Sequence, residues 1–369
     1  MDFTFSAEQE ALRDAVQGHL SRTLAPERVR RMIDDQLGFS EEWWAGITEM
    51  GWPGLMVPER LGGSGLGLID AVVVQEEMGK KTAPGPFLSS AVCATLAALH
   101  LGGDDLLAQM ASGRTRATVA IEEIGPGDPL ASIEATGVPD GDEWVLSGAK
   151  PVVLDGHSAH VALVAARTSE GLATFVLENP GGELIPGLDV TRKVARLDLD
   201  RRRARRVGPG GDQTAILERI GDDIAVAVCA ETVGACQRAL EMAIEYAKAR
   251  VQFDRPIASF QAIKHKIVDM LHQLELARVG THWAAWTSQV DDPLRPAAAA
   301  MAKSFVGEAA NMITAENIQV HGGVGFTWDV DCHLLFRRAK QNDVLFGRGG
   351  WQRQRLADLV IDGSSPPSH

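Results

Sequence analysis

RVQFDRPIASFQAIKHK (residues 250–266), read together with QVHGGVGF (319–326), decides the fold. The first string spreads an Arg, a Phe and a Gln over the end of a long helix and the turn after it, with Pro256 marking that turn. The second is a glycine-pair turn that closes another helix. Upstream, Asp223 to Arg250 carries few breakers and sets Val226, Cys229, Val233, Leu240 and Ile244 at helical spacing. Downstream, Gln261 to Gln289 and Leu294 to His321 read as the next two helices, and a final helix follows Gly350.

Outward from this helical block the period changes. From Thr115 to about Gly211, short β-rich runs (117–121, 143–148, 160–166 and 173–178) alternate with Gly, Pro and Asp clusters, which predicts a small antiparallel β-domain. The N-terminal stretch is helical again. Ser6 followed by Glu8 and Gln9 looks like a helix start, and Leu12, Val16 and Leu20 share one face. Turns follow at Gly51-Trp52-Pro53 and at 61–65, and a helix resumes from Asp70 to Gly79. The expected order is therefore α (1–115), β (116–211), α (212–369), an α+β chain.

At 369 residues and 45% apolar content, the chain can bury a core spread over more than one subdomain. Its formal charge of -13, spread along the chain, argues against nucleic acid or an anionic membrane as the main partner. Arg201, Arg202, Arg203, Arg205 and Arg206 stand apart, as a solvated strand or a contact for an anion or partner chain. Four cysteines without metal-ligand spacing are expected to be reduced thiols of a cytoplasmic protein. The acidic, amphipathic start does not read as a signal peptide, so none is expected, and Ile224 to Ala230 is too short an apolar run to span a bilayer.

Three segments in this order, 51–79, 233–270 and 321–340, resemble the acyl-CoA dehydrogenase family over essentially the whole chain. The resemblance implies that family's fold: an N-terminal helical domain, a middle antiparallel β-domain and a C-terminal four-helix bundle. It also implies FAD lying between subunits, an acyl-CoA substrate, and electron-transferring flavoprotein as the electron acceptor. Carried over, the residues that grip the adenosine and diphosphate of a neighbour's FAD are Arg250, Phe253, Gln261, Gln319, Gly322 and Gly323. The chemistry suits them, because guanidinium pairs bidentately with phosphate and a glycine pair lets backbone N–H groups approach an anion. The plainer alternative for Arg250 is a cation at a helix C-terminus. Asp254 stands where the family usually has Gly, and a carboxylate there would weaken phosphate binding.

The other half of the family's site is depleted. The family's Glu base falls on Phe346 of Leu345-Phe346-Gly347-Arg348, which accepts no proton, and its alternative place on Ile224-Ala225. The turn and strand that hold the flavin ring correspond to 122–128 and 150–154, where Val152 and Leu154 replace Trp and Thr. Glu231, two helical turns beyond Ile224, has three readings: a paired structural carboxylate, pocket polarity matched to a substrate, or a relocated catalytic base. Asp222 and Asp223 are expected to open their helix as acidic N-terminal residues.

Such lopsidedness resembles the base-lacking subunit of the heteromeric (α2β2) members that act on steroid side-chain thioesters. A homomeric enzyme, such as a homotetramer, using Glu231 and a flavin-free acyl-CoA-binding assembly protein are the alternatives.

Overall fold

The computed structural model describes every residue except 1–4, 124, 126 and 362–369. Helices α1 (Ala7–Thr23), α2 (Pro26–Ile33), α3 (Glu41–Glu49), α4 (Leu68–Lys80), α5 (Thr95–Leu101) and α6 (Asp104–Ala111) form the first block, with a π-helical stretch Phe87–Ala94 running into α5. Ser6 closes the predicted capping box with Gln9, satisfying two N–H groups at the start of α1.

The middle block holds β1 (Ala117–Ala120), β2 (Thr136–Asp140), β3 (Glu143–Ser147), β4 (Ala149–Leu154), β5 (Val161–Thr168), β6 (Gly171–Glu178), β7 (Glu183–Ile185), β8 (Val194–Asp198) and β9 (Arg202–Val207). Six strands run in the order β1-β5-β2-β3-β9-β6, and a further β5–β6 pairing closes the ring from β5 to β6. A second sheet runs β4-β8-β7. Pairings are antiparallel except β1 with β5 and β2 with β5, which run parallel. The arginine run becomes β9 and its preceding turn. Arg203 pairs with Asp140 and Glu143, and Arg206 pairs with Glu170 and covers Trp144, so these two are held within the sheet's own surface.

The last block is α7 (Thr214–Ala249), the two-residue strands β10 (Val251–Gln252) and β11 (Arg255–Pro256), α8 (Gln261–Gln289), α9 (Arg295–His321), α10 (Cys332–Val344) and α11 (Gly349–Val360). Gln213 joins this block to the sheet: its Oε1 accepts from Thr174 N–H and its Nε2 donates to Val207 O. From there α7 begins nine residues before the predicted Asp223, because the apolar spacing continues through Leu217 and Ile220.

Helix α7 is the axis of the fold. It packs on α4, α8 and α9, and its crossing with α4 is a backbone-to-backbone contact. A Cβ on Gly234 would sit 1.9 Å from Glu76 O, and one on Gly79 would sit 1.9 Å from Glu231 O. Only glycine at both positions permits that approach, and it fixes the level at which Glu231 lies.

Among the described residues no helix is long and apolar enough to cross a membrane. The four cysteines are buried and free.

Candidate functional site

The arm predicted from the opening string is solvent-facing. Arg250 caps α7, is exposed, and its guanidinium forms no ion pair among the described residues. The β10–β11 hairpin that follows turns through Phe253 and Asp254, with φ of +53° and +61°. This left-handed backbone explains why a glycine suits position 254, and Asp tolerates it better than most residues. Phe253 is 87% exposed, with its edge on Phe260 at 6.1 Å. Gln261 opens α8, also exposed.

The glycine-pair turn lies beside this arm. Tyr246, one turn before Arg250, stacks on His321 at 4.3 Å, which ties the end of α7 to the end of α9. Gln319, Gly322 and Gly323 are exposed there, and a Cβ added to either glycine would meet only open space. Gly322 (φ +66°) makes the turn, and the bare backbone at both positions leaves room for an anion to approach. Gln319 also borders an apolar cavity of about 510 Å³ lined by Leu188, Ile318, Phe326, Trp328 and Phe336. Phe326 and Trp328 are 77% and 55% exposed. The structure therefore brings all six predicted nucleotide-gripping residues to one end of the helical block, where exposed aromatics and an uncompensated guanidinium fit the ADP half of FAD.

Glu231 lies in the middle of α7 and is 2% exposed. Both of its oxygens accept from Arg192 Nη2, at 2.5 and 2.6 Å, while Arg338 Nη1 donates at 2.8 Å and Asn342 Nδ2 at 2.9 Å. Burial alone would raise its pKa. The two guanidiniums overcome that and hold it down at about 2. Arg338 is fully buried and also donates to Asp189 and to Thr82 O and Ala83 O, so the cluster joins the end of α4, the 189–192 loop, α7 and α10. Asp155 lies in the field of the same two arginines. It accepts from Ser89 Oγ at 2.6 Å, and burial raises its pKa.

Asp222 and Asp223 do not open a helix. They lie inside α7 and are buried and paired, Asp222 with Arg295 and Arg355, and Asp223 with His100, Ser288 and Arg219. The reason is the earlier start of α7, which moves them into the packed part of the bundle.

Phe346, at the predicted base position, is 9% exposed with φ +53°. Its N–H donates to Glu122 Oε2 at 2.8 Å. Burial raises the Glu122 pKa to about 7 against that hydrogen bond. Glu122 stands between two cavities. One, of about 240 Å³, is lined by Gly127, Pro151, Val152, Leu345, Gly347 and Arg348. The other, of about 280 Å³, is lined by Ile121, Leu130, Leu217, Phe346 and Trp351 among others. The segments at 122–128 and 150–154, apart from Ile124 and Pro126, which lie outside the described residues, thus meet the 345–348 loop as the resemblance implies. The alternative base position, Ile224-Ala225, is fully buried.

In the first of these cavities the strand offers a flavin ring few donors. The ring presents mostly hydrogen-bond acceptors, and here Pro151 has no N–H, Val152 has no polar side chain and the Phe346 N–H is taken by Glu122, which leaves Arg348 as the donor-bearing side chain of the lining. Glu123 is occupied by Lys150, whose ammonium burial lowers to a pKa of about 8 despite that partner. The residues that spacing did not single out are Asp189, Arg192 and Asn342, polar groups scattered over two blocks with no sequence pattern to link them.

Comparison with known proteins identifies the family. The family "Acyl-CoA dehydrogenase, N-terminal domain" matches residues 6–114, and "Acyl-CoA dehydrogenase, C-terminal domain" matches 222–361. Acyl-CoA dehydrogenase IpdE2 of Mycolicibacterium smegmatis is 31% identical over 96% of this chain and 100% of its own length. The steroid acyl-CoA dehydrogenase Tcur3481-Tcur3483 (G363A variant) superposes with a TM-score of 0.89 at 32% identity, covering 97% of this chain and 99% of that one. The ChsE4-ChsE5 complex of Mycobacterium tuberculosis gives 0.89 at 29% identity, with 100% of both chains covered. By fold, site layout and these matches, the chain belongs to the acyl-CoA dehydrogenase family of FAD-dependent oxidoreductases and resembles its heteromeric steroid members.

Proposed function

We propose that this chain is the base-lacking subunit of a heteromeric acyl-CoA dehydrogenase, an α2β2 assembly in the cytoplasm that desaturates a bulky acyl-CoA of the steroid side-chain class. Its role is to complete the FAD site of a homologous, base-bearing chain. The observation that carries the reading is the separation of arm from cavity along α7. From Asp222, which lines the cavity on the other side of Glu122 from the flavin-ring segments, to Arg250 is 28 residues along α7, about 42 Å at ~1.5 Å per residue. That exceeds the reach of a dinucleotide whose ring lies in this chain's own cavity, so the arm serves a neighbour.

Bound FAD supplies the acceptor for the β-hydride of the thioester. This chain's residues grip its nucleotide end. Arg250 neutralises diphosphate charge, Phe253 and Gln261 flank it, and the Gln319–Gly323 turn approaches it through backbone N–H groups. Phe346 cannot take the α-proton, which leaves that step to the partner. Electron-transferring flavoprotein is the acceptor we assign to the assembly.

A self-sufficient enzyme with Glu231 as base is disfavoured by the clamp on that carboxylate. A group with a pKa of about 2, saturated by two guanidiniums and an amide, is a poor proton acceptor near neutral pH. We assign Glu231 a structural role.

The test is purification alone and with a co-expressed homologous subunit. A colourless, inert chain that gains flavin and thioester oxidation only in the pair is expected. A yellow chain that oxidises a thioester unaided refutes the reading.

A further inference from the structure

The two parts of the exposed arm come from the ends of different helices, and one aromatic contact joins them. Tyr246 lies one turn before Arg250 on α7, and the Arg250 N–H donates to Tyr246 O at 2.8 Å, so the two side chains leave the same face. His321 is the last residue of α9, and Gly322 caps it. The Tyr246 and His321 rings stack with centroids 4.3 Å apart and 25° between their planes.

Both rings are held from behind. Tyr246 is half-buried against the core. His321 is 6% exposed, and its Nδ1 stands 2.8 Å from Asn317 O, one turn back on α9. A carbonyl only accepts, so Nδ1 carries the hydrogen. Burial lowers the pKa of this ring, which therefore stacks uncharged near neutral pH. On the other side, Arg250 O accepts from Ile257 N–H at 2.8 Å, so the backbone of Arg250 is tied both before and after its side chain. The glycine pair has no side chain to hold it, and a Cβ on either residue would meet only open space. Its place relative to Arg250 is therefore transmitted through His321.

We infer that Tyr246 and His321 are positioning residues of the nucleotide site: their stack sets the spacing between the Arg250 guanidinium and the glycine-pair backbone, so that one diphosphate meets both at once. The inference rests on the reading of this arm as a grip on the ADP half of FAD, and adds the pair that fixes its geometry. Neither ring has to touch the nucleotide. Two groups held at the right spacing bind one anion more tightly than two that move independently, because the fold has already done the ordering.

The experiment titrates the full chain with ADP by calorimetry at pH 7.5, in wild type, Tyr246→Phe, Tyr246→Leu, Arg250→Ala and the Tyr246→Leu/Arg250→Ala double variant. Tyr246→Leu should weaken ADP by about 3–10-fold, the value of an aromatic pair. Tyr246→Phe should bind as wild type does, because the ring and not the hydroxyl makes the stack. Once Arg250→Ala has removed the guanidinium, adding Tyr246→Leu should change the affinity by less than about 2-fold, since the ring acts through that side chain. Wild-type affinity in Tyr246→Leu overturns the inference, as does a loss in Tyr246→Phe equal to that in Leu, or a full Leu effect in the double variant. An Arg250→Ala chain that binds ADP as wild type does, or a wild type that does not bind it, instead refutes the reading of the arm itself. If Tyr246→Leu does not fold, His321→Leu removes the same stack from the α9 side and should give the same loss, with unchanged affinity again overturning the inference. If Arg250→Ala binds too weakly to enter the cycle, rescue by Phe and the loss in His321→Leu decide.

Discussion

Replacing Glu231 by Gln separates a structural carboxylate from a catalytic one. The substitution keeps the shape and the contact with Asn342 but removes the charge facing Arg192 and Arg338. The carboxylate's pKa is depressed from 4.5 to about 2 in the folded chain. A depressed acid contributes stability that is fully present above the unfolded pKa and lost as pH falls toward the folded one, so at pH 7 the whole amount is in force. At about 1.4 kcal/mol per unit, the shift corresponds to roughly 3 kcal/mol. Breaking a buried pair directly is unfavourable by about 3–5 kcal/mol, which agrees. Asp155 offers partial relief. It is buried beside the same arginines, whose charge favours its ionised form. The net loss expected is about 2–4 kcal/mol. In urea denaturation this is a midpoint lower by roughly 1 M for a chain of this size, and adding Asp155→Asn should lower it further. Thioester oxidation by the assembled enzyme should stay within a few-fold of wild type. A variant of unchanged midpoint whose turnover falls by about 10³-fold would refute the reasoning and make Glu231 the base.

Arg250→Ala should weaken FAD retention in the assembly by about 10–100-fold, the value of a charge-assisted contact, measured as flavin released per protein on denaturation; full retention removes Arg250 from the site. Glu122→Gln should stabilise the chain at pH 8. Its pKa is raised to about 7, so ionisation is unfavourable to the fold as pH rises from 4.5 through 7, and the gain, about 1–3 kcal/mol with partial solvation allowed for, should vanish near pH 4.5. A gain that does not change between pH 5 and pH 8 contradicts that origin. Gly347→Ala should lower the melting temperature by several degrees, because the new Cβ meets Trp351 at 2.6 Å and the backbone is left-handed; an unchanged melting temperature would show that Trp351 yields freely.

The long helices were legible because Val226, Val233 and Leu240 repeat at helical spacing, and the exposed arm after α7 because it is continuous in sequence: hairpin and glycine pair each occupy one short string. The start of α7 was misplaced for a local reason. Asp222 and Asp223 read as a helix N-terminus when taken with their sequence neighbours, and only His100, Arg295 and Arg355, far along the chain, make them buried partners. The parallel β1–β5 pairing was hidden in the same way, since strand spacing reports alternation and not direction. Glu231 stood out as a carboxylate in an apolar run, but its partners come from a loop at 189–192 and from α10. No spacing rule joins residues about 40 and 107 positions away.

That cluster also bears on what holds the 345–348 loop in place. Arg338 and Asn342 anchor α10, and α10 ends at Val344, immediately before Leu345 and Phe346. The position of the 345–348 loop is therefore set from behind by this cluster, while at its front the Phe346 N–H donates to Glu122 and Phe346 O accepts from Gln352. The side chain at 346 contributes nothing to those front contacts, which use only its backbone. Exchange of the Phe346 side chain would thus leave both the rear anchor and the backbone contacts at the front intact. The side chain at 346 and the shape of its loop are independent here because they are carried by different atoms of the same segment.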